Sequence, residues 1–189
     1  MCQDNCSAWV RRFVPLIRRD GRVLDLAAGS GRHTRLLLDM GFAITAVDRN
    51  IEGLLPLAGG NCEVRAIDLE TGAPWPLGGG YDGIVVTNYL HRPLFAPIAA
   101  ALAPSGVLIY ETFAVGNERL GQPRNRDFLL RPGELLDAFQ ALTVVAFEQG
   151  EIALPRPVVI QRIAAIAGSM GRIPEAQGAA LSGQGLPHD

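Results

Sequence analysis

A ten-residue run, RVLDLAAGSG at positions 22–31, constrains this chain more than any other stretch. Val23, Leu24 and Leu26 form a short apolar run of the kind a buried strand uses, and Asp25 interrupts it near its end. Ala27, Ala28, Gly29, Ser30 and Gly31 follow, all small, so a ligand could approach the backbone closely. The next segment, RHTRLLLDM, reads as a helix opening at Gly31. A strand, a small-residue turn and a helix in this order aim backbone N–H groups at a bound molecule. The dinucleotide fingerprint G-x-G-x-x-G accepts Gly29 and Gly31, but Thr34 stands at its third position.

Further strands carry acids or polar groups at their ends. The β-branched stretch 42–48 closes on Asp48, 17 residues after Gly31. A carboxylate there suits two vicinal ribose hydroxyls, because it only accepts hydrogen bonds. Its other reading is the cap of a helix over 50–57. A strand over 62–67 leads to Asp68 and Leu69, an acid and an apolar side chain that could frame an adenine, or simply a solvated turn. A Pro/Gly loop over 71–80 carries the chain to a strand at 81–88, which ends in Asn88, Tyr89, Leu90, His91, Arg92 and Pro93. A helix over 94–102, a strand over 106–112 and a helix over 132–139 come next. Strands over 142–150 and 157–167 close the order as an antiparallel hairpin.

Two segments have two readings each. The amphipathic stretch 7–19 either packs beside the sheet or covers a ligand cleft with Trp9 and Phe13. The loop 113–131 is a lid or a solvated excursion. Its Arg119, Arg124, Arg126 and Arg131, with Arg92, could recognise a carboxylate or oxyanion, and Glu111 could pair with one of them.

The chain's 189 residues suffice for a real core, and the reading is one domain over 1–167 with a disordered tail over 168–189. A net charge of −2 gives no electrostatic reason to expect nucleic acid. No apolar run approaches the roughly 20 residues of a membrane span. The N-terminus has no signal-peptide pattern. The three cysteines, Cys2, Cys6 and Cys62, are an odd number that fits reduced thiols in a cytoplasm. No partner pair completes a zinc site, so no metal is expected.

Asp25, Ala27, Gly29 and Gly31, followed by Asp48, Asp68 and Asn88 at successive strand ends, resemble the class I S-adenosylmethionine (SAM) methyltransferases over about residues 7–167. The opening VLDLAAGSGRHTRLLLDMGFAITAVDRN is most similar to the small tellurite-resistance-like methyltransferases of bacteria. The resemblance implies a Rossmann-like, doubly wound α/β fold. It has seven strands in the order 3-2-1-4-5-7-6, with strand 7 antiparallel and helices on both faces. It implies SAM as cofactor, with Ala27, Gly29 and Gly31 along its methionine part and Asp25 ordering the turn and facing its amino group. Asp48 would hold the ribose, Arg49 would flank the adenine, Asp68 and Leu69 would frame it, and Asn88 with Tyr89 would stand near the methyl.

Methyl transfer is an in-line displacement for which a protein supplies alignment and a dry cleft. Where the nucleophile carries a proton, His91 is the candidate base, with Tyr89 beside it; the other reading of His91 is a loop-ordering residue. A thiolate or reduced chalcogen would need no base. The amino-methylating enzymes of nucleic acids carry Asn/Asp-Pro-Pro-Tyr/Phe where this chain reads Asn88-Tyr89-Leu90-His91. With the near-neutral charge, that difference argues against a base-methylating enzyme, and the small size without an added recognition domain favours a small-molecule acceptor. The alternatives are a nicotinamide oxidoreductase and a non-catalytic SAM-binding module.

Overall fold

The computed structural model describes residues 6–153 and 156–168. One seven-stranded sheet organises them, in the order β3-β2-β1-β4-β5-β7-β6. Strands β1 (Arg22–Leu26), β2 (Ala43–Asp48), β3 (Cys62–Ala66), β4 (Tyr81–Thr87) and β5 (Leu102–Phe113) are parallel. Strands β6 (Thr143–Ile152) and β7 (Val158–Ile166) form an antiparallel hairpin whose second strand pairs antiparallel with β5. This is the expected fold. The helices are α1 (Ala8–Phe13), α2 (Arg32–Asp39), α3 (Phe95–Ala101) and α4 (Glu134–Ala138).

Strand alternation sorts the core into two layers. Val23, Ile44, Ala46, Val85, Val107 and Ile109 face Trp9, Val10 and Phe13 of α1 and Leu37 of α2. Leu24, Leu26, Ile84, Val86, Leu108 and Tyr110 face Ile98 and Ala101 of α3, Leu135 of α4, and Phe139. Helices thus cover both faces, which is why the central strands read as nearly unbroken apolar runs. Trp9 is 2% exposed, donates from Nε1 to the Ile163 carbonyl at 3.2 Å and stacks near Phe13. Trp9 and Phe13 therefore belong to the core, not to a ligand cleft.

Three expectations shift. No α-helix spans 50–57: Gly53 and Pro56 break it into turns ending in a short 3₁₀ turn at Leu55–Leu57. β5 starts at Leu102, four residues early, and slips register against β4 between Tyr81 and Gly83. The 113–131 segment is a tied strap. Its ends meet where Leu130 N donates to the Phe113 carbonyl and Val115 N to the Leu130 carbonyl, both at 2.9 Å. The tail 168–189 lies, apart from Gly168, outside the described residues, as does Cys2.

Strand order reverses between β1 and β4, so a crevice opens at their carboxyl ends. The small-residue turn, Asp48, Asp68 and the Asn88 segment all lie along that edge.

Candidate functional site

The turn after β1 is held open from behind. Ala27, Gly29 and Gly31 have φ of 54°, 56° and 76°. Ala28 N donates to the Val47 carbonyl, and Gly31 N to the Ala28 carbonyl, each at 3.0 Å. Asp48 Oδ2 accepts from Gly29 N at 2.8 Å, and its Oδ1 from Asn50 N at 3.0 Å. A Cβ on Gly31 would stand 2.8 Å from Leu57 Cδ1 and 2.9 Å from Leu54 Cδ2, whereas one on Gly29 would meet nothing within 4 Å. One glycine is packed and the other faces open space. Gly53 escaped the sequence reading. A Cβ there would lie 2.9 Å from Ser30 Cα, so a side chain would push the turn outward. Only a backbone contact marks that position, and sequence carries no signal of it.

Asp25 is 1% exposed and lies behind the turn. Its carboxylate accepts from Thr34 Oγ1 at 2.6 Å and from the Thr34 backbone N–H, fixing the first turn of α2. Burial pushes its pKa up to about 6 against the pull of those bonds. His33, also missed as a site residue, is 2% exposed. Ser7 N donates to its Nε2 at 3.1 Å, so the neutral ring carries its proton on Nδ1, 3.2 Å from Thr87 Oγ1. Burial, then the nearby Arg32 and Arg11, lowers its pKa to about 4.

These two groups pull stability in opposite directions over nearly the same pH range. The folded His33 binds its proton less tightly than the unfolded one, so its contribution is complete above pH 6.5 and is lost as pH falls toward 4. The folded Asp25 binds its proton more tightly, so stability is gained as pH falls from about 6 toward 3.8. His33→Gln removes one side of the balance and Asp25→Asn the other. On acidification from pH 6.5 to 4.5, urea unfolding should show His33→Gln gaining, and Asp25→Asn losing, roughly 2 kcal/mol relative to the native chain. Parallel slopes for the two variants would refute the balance.

Two adjoining cavities line the crevice. The first, about 250 Å³, is bounded by Ala27, Asp48, Arg49, Ile67, Asp68, Leu69, Glu70, Tyr89 and Phe128. The second, about 400 Å³, is bounded by Glu70, Asn88, Tyr89, Leu90, Thr112, Phe113, Gln122, Pro123 and Phe128. Glu70, Tyr89 and Phe128 face both. Of the residues singled out in the sequence, Ala27, Asp48, Arg49, Asp68, Leu69, Asn88 and Tyr89 thus come together. His91 lines neither cavity; its carbonyl accepts from Leu94 N at 3.0 Å at the start of a 3₁₀ turn. Burial, and then the Glu70 carboxylate, pushes the Tyr89 phenol far above its ordinary range, so its hydroxyl stays protonated. Tyr110 Oη supports Tyr89 from below by donating to its carbonyl at 2.9 Å. Asn88 takes a left-handed φ of 54°, which this residue type tolerates. Glu70 and Phe128 were not foreseen as site residues, since one sits in a turn and the other in an irregular strap.

Four of the five arginines serve other ends, and the fifth, Arg124, is exposed and lines neither cavity. Arg92 grips Glu134 through Nε at 2.6 Å and Nη2 at 3.0 Å, and donates to the carbonyls of Asp127 and Leu129 at 2.6 and 2.9 Å. Arg126 reaches Glu118 at 3.4 Å, and Arg131 reaches Glu134 at 3.4 Å. Arg119 donates to the Gly116 carbonyl at 3.3 Å. Glu111 pairs with none of these. Arg162 of β7 meets it at 3.0 Å, and Ser7 Oγ donates to it at 2.8 Å. Arg92, Arg126 and Arg131 do border a separate depression, but it shares no lining residue with the two cavities. Among the described residues no cluster of metal-binding side chains occurs, and no helix is long and apolar enough to cross a membrane.

A family model described as a methyltransferase domain matches residues 2–143. The protein-L-isoaspartate O-methyltransferase of Chlorobaculum tepidum is 27% identical over 111 residues, which are 56% of this chain and 51% of that protein. The chain thus spans about half the length of this curated relative. TehB from Haemophilus influenzae superposes with a TM-score of 0.73 at 15% identity, over 87% of this chain and 63% of TehB. The Burkholderia thailandensis 1,6-didemethyltoxoflavin-N1-methyltransferase, solved with 1,6-didemethyltoxoflavin and S-adenosylhomocysteine, superposes with a TM-score of 0.61 at 23% identity, over 86% of this chain and 79% of that one. At these identities the two structures speak to fold alone. With the matched domain, the strand order and the crevice all in agreement, the chain belongs to the methyltransferase-domain family and is built as a class I SAM-dependent methyltransferase.

Proposed function

We propose that the protein transfers a methyl group from SAM to a small molecule, with the cofactor in the first cavity and the acceptor in the second. The charge of the first cavity carries this reading. Asp48, Asp68 and Glu70 line it, with Arg49 as the only cation in its wall. None of the three acids is in an ion pair among the described residues. SAM brings a sulfonium and an ammonium to such a wall. A nicotinamide dinucleotide brings two phosphates, which these carboxylates would repel. The open space over Gly29 suits the close approach of the methionine part.

In this reading Asp48 holds the ribose and Asp68 with Leu69 frames the adenine, flanked by Arg49. The turn from Ala27 to Gly31 carries the methionine part, and Asp25 acts from behind through Thr34. Bound SAM supplies a methyl on a sulfonium whose sulfur keeps the C–S electron pair when an acceptor lone pair takes the carbon. The chain's own task is alignment and exclusion of water. Tyr89 and Phe128, shared by the two cavities, stand at their junction and set the approach. His91 has no role in this arrangement. We treat 1–167 as the methyltransferase domain and 168–189 as a tail, in a cytoplasmic protein whose Cys6 and Cys62 are free thiols.

Calorimetric titration with SAM, S-adenosylhomocysteine and NADH tests the cofactor assignment. SAM and S-adenosylhomocysteine should bind and NADH should not. Asp48→Ala should weaken SAM by at least about thirtyfold, the loss of two hydrogen bonds to a charged acceptor. Asp48→Asn, which keeps an oxygen for Gly29 N, should lose less. Binding of NADH in place of SAM would sink the proposal. Formation of S-adenosylhomocysteine with an acceptor panel separates an enzyme from a binding module.

A further inference from the structure

We infer that the second cavity is a subsite for a small aromatic cation, whose ring lies against Phe113, Phe128 and Tyr89 and whose positive group is set against Glu70. The inference rests on the reading of this cavity as the acceptor site. Its about 400 Å³ lies within the range of small-molecule pockets and has room for a one- or two-ring molecule. Three aromatic side chains with Leu90 and Pro123 supply the apolar wall, and Asn88, Thr112 and Gln122 supply neutral polar groups. Glu70 is the single charged residue of the lining.

Two observations fix the sign of the expected ligand. First, Glu70 is exposed and in no ion pair among the described residues; its one side-chain partner is the protonated Tyr89 hydroxyl, which bonds it without cancelling its charge. Its backbone is held by a bond from Glu70 N to Asp68 Oδ1 at 2.9 Å, which keeps the residue at the junction of the two cavities. Second, the strap that closes over the cavity is rich in arginine, yet no arginine lines it. Arg92 is held by Glu134 and two carbonyls, Arg119 by a carbonyl, Arg126 by Glu118 and Arg131 by Glu134, while Arg124, exposed beside Pro123, lies outside the lining. The sequence contains no lysine to take their place. Within this lining an anionic acceptor would meet a carboxylate and no cation. A cationic acceptor meets a carboxylate together with aromatic faces, and both attract it. The structure thus turns the oxyanion expectation from the arginine-rich sequence to the opposite charge.

Three indoles that differ in one group provide the test: tryptamine, tryptophol and indole-3-propionate, carrying an ammonium, a hydroxyl and a carboxylate. Each is titrated calorimetrically into the full chain, with and without saturating S-adenosylhomocysteine. Tryptamine should bind at least about fivefold tighter than tryptophol and about tenfold tighter than indole-3-propionate. Glu70→Gln should erase the gap between tryptamine and tryptophol. Phe128→Ala should weaken both by about fivefold through lost ring contact. Indole-3-propionate binding as well as tryptamine overturns the inference. So does a tryptamine preference that survives Glu70→Gln, or no binding of any indole to protein that binds S-adenosylhomocysteine. A tryptamine preference in protein that binds no S-adenosylhomocysteine upholds the cavity's chemistry and removes the methyl-transfer reading instead.

Discussion

Gly31→Ala should cost the fold about 3 kcal/mol, through left-handed strain plus repacking of a closed site. The position has a φ of 76°, and a Cβ there would stand under 3 Å from Leu54, which is fully buried, and from Leu57. The Leu54 tip cannot move without disturbing the packing behind the turn, whereas half-buried Leu57 has more room. Gly29→Ala has the same backbone problem, at φ 56°, but its Cβ would enter open space. It should cost only about 1 kcal/mol of stability. If the methionine part of SAM lies there, it should weaken S-adenosylhomocysteine at least about tenfold by steric exclusion. Urea unfolding and calorimetry on the two variants read the contrast. Equal stability losses would show that the two glycines are not divided between packing and ligand approach.

Arg92→Ala should be as costly, at about 3 kcal/mol, because it leaves a buried carboxylate without its main partner. Glu134 is 5% exposed. Burial alone would raise its pKa, and the bonds from Arg92 and Arg131 hold it below its ordinary value instead. Its contribution is therefore present above the unfolded carboxylate pKa and lost as pH falls through the lower folded one. The same substitution frees the carbonyls of Asp127 and Leu129, so the strap loses its grip next to Phe128. Proteolysis within 115–129 and amide exchange at Val115 and Leu130 should accelerate more than exchange in β1 or β4. Acceptor binding should fall further than binding of S-adenosylhomocysteine. Arg92→Leu combined with Glu134→Leu should recover much of the loss, since neither charge is then stranded. A double variant no more stable than Arg92→Ala would show that the bonds to the strap carbonyls, not the ion pair, hold the segment.

Strand order and strand ends were legible because parallel strands buried on both faces leave apolar runs, and the runs of β2, β3 and β4 lead to Asp48, Asp68 and Asn88 at the crevice. Asp48, Asp68 and Tyr89 could be found that way. Side-chain partnership was not legible. Arg92 reads as a free cation until Glu134 is seen 42 positions later, and Glu111 finds Arg162 51 positions away. Glu70 is one more turn acid in sequence and becomes a site residue only when two cavities meet on it. Helical spacing of Trp9 and Phe13 gives a face but not its neighbour, and the neighbour is the sheet. The 50–57 segment fails as a helix at Gly53 and Pro56, and Gly53 stands there because a side chain would meet the Ser30 backbone opposite it.

The dock of α1 has a consequence for how the chain is made. Trp9 hydrogen-bonds a carbonyl 154 residues downstream, and Ser7 joins α1 to Glu111, which is itself held by Arg162 of β7. In a chain made N-terminus first, α1 can pack on β1, β2, β4 and β5 as they form, but its hydrogen bond to Ile163 waits for β7. Contacts of such long separation are slow to close. The seat of α1 is thus begun by the parallel strands and finished by β7, whose Ile163 carbonyl and Arg162 side chain complete the partners of Trp9 and Glu111.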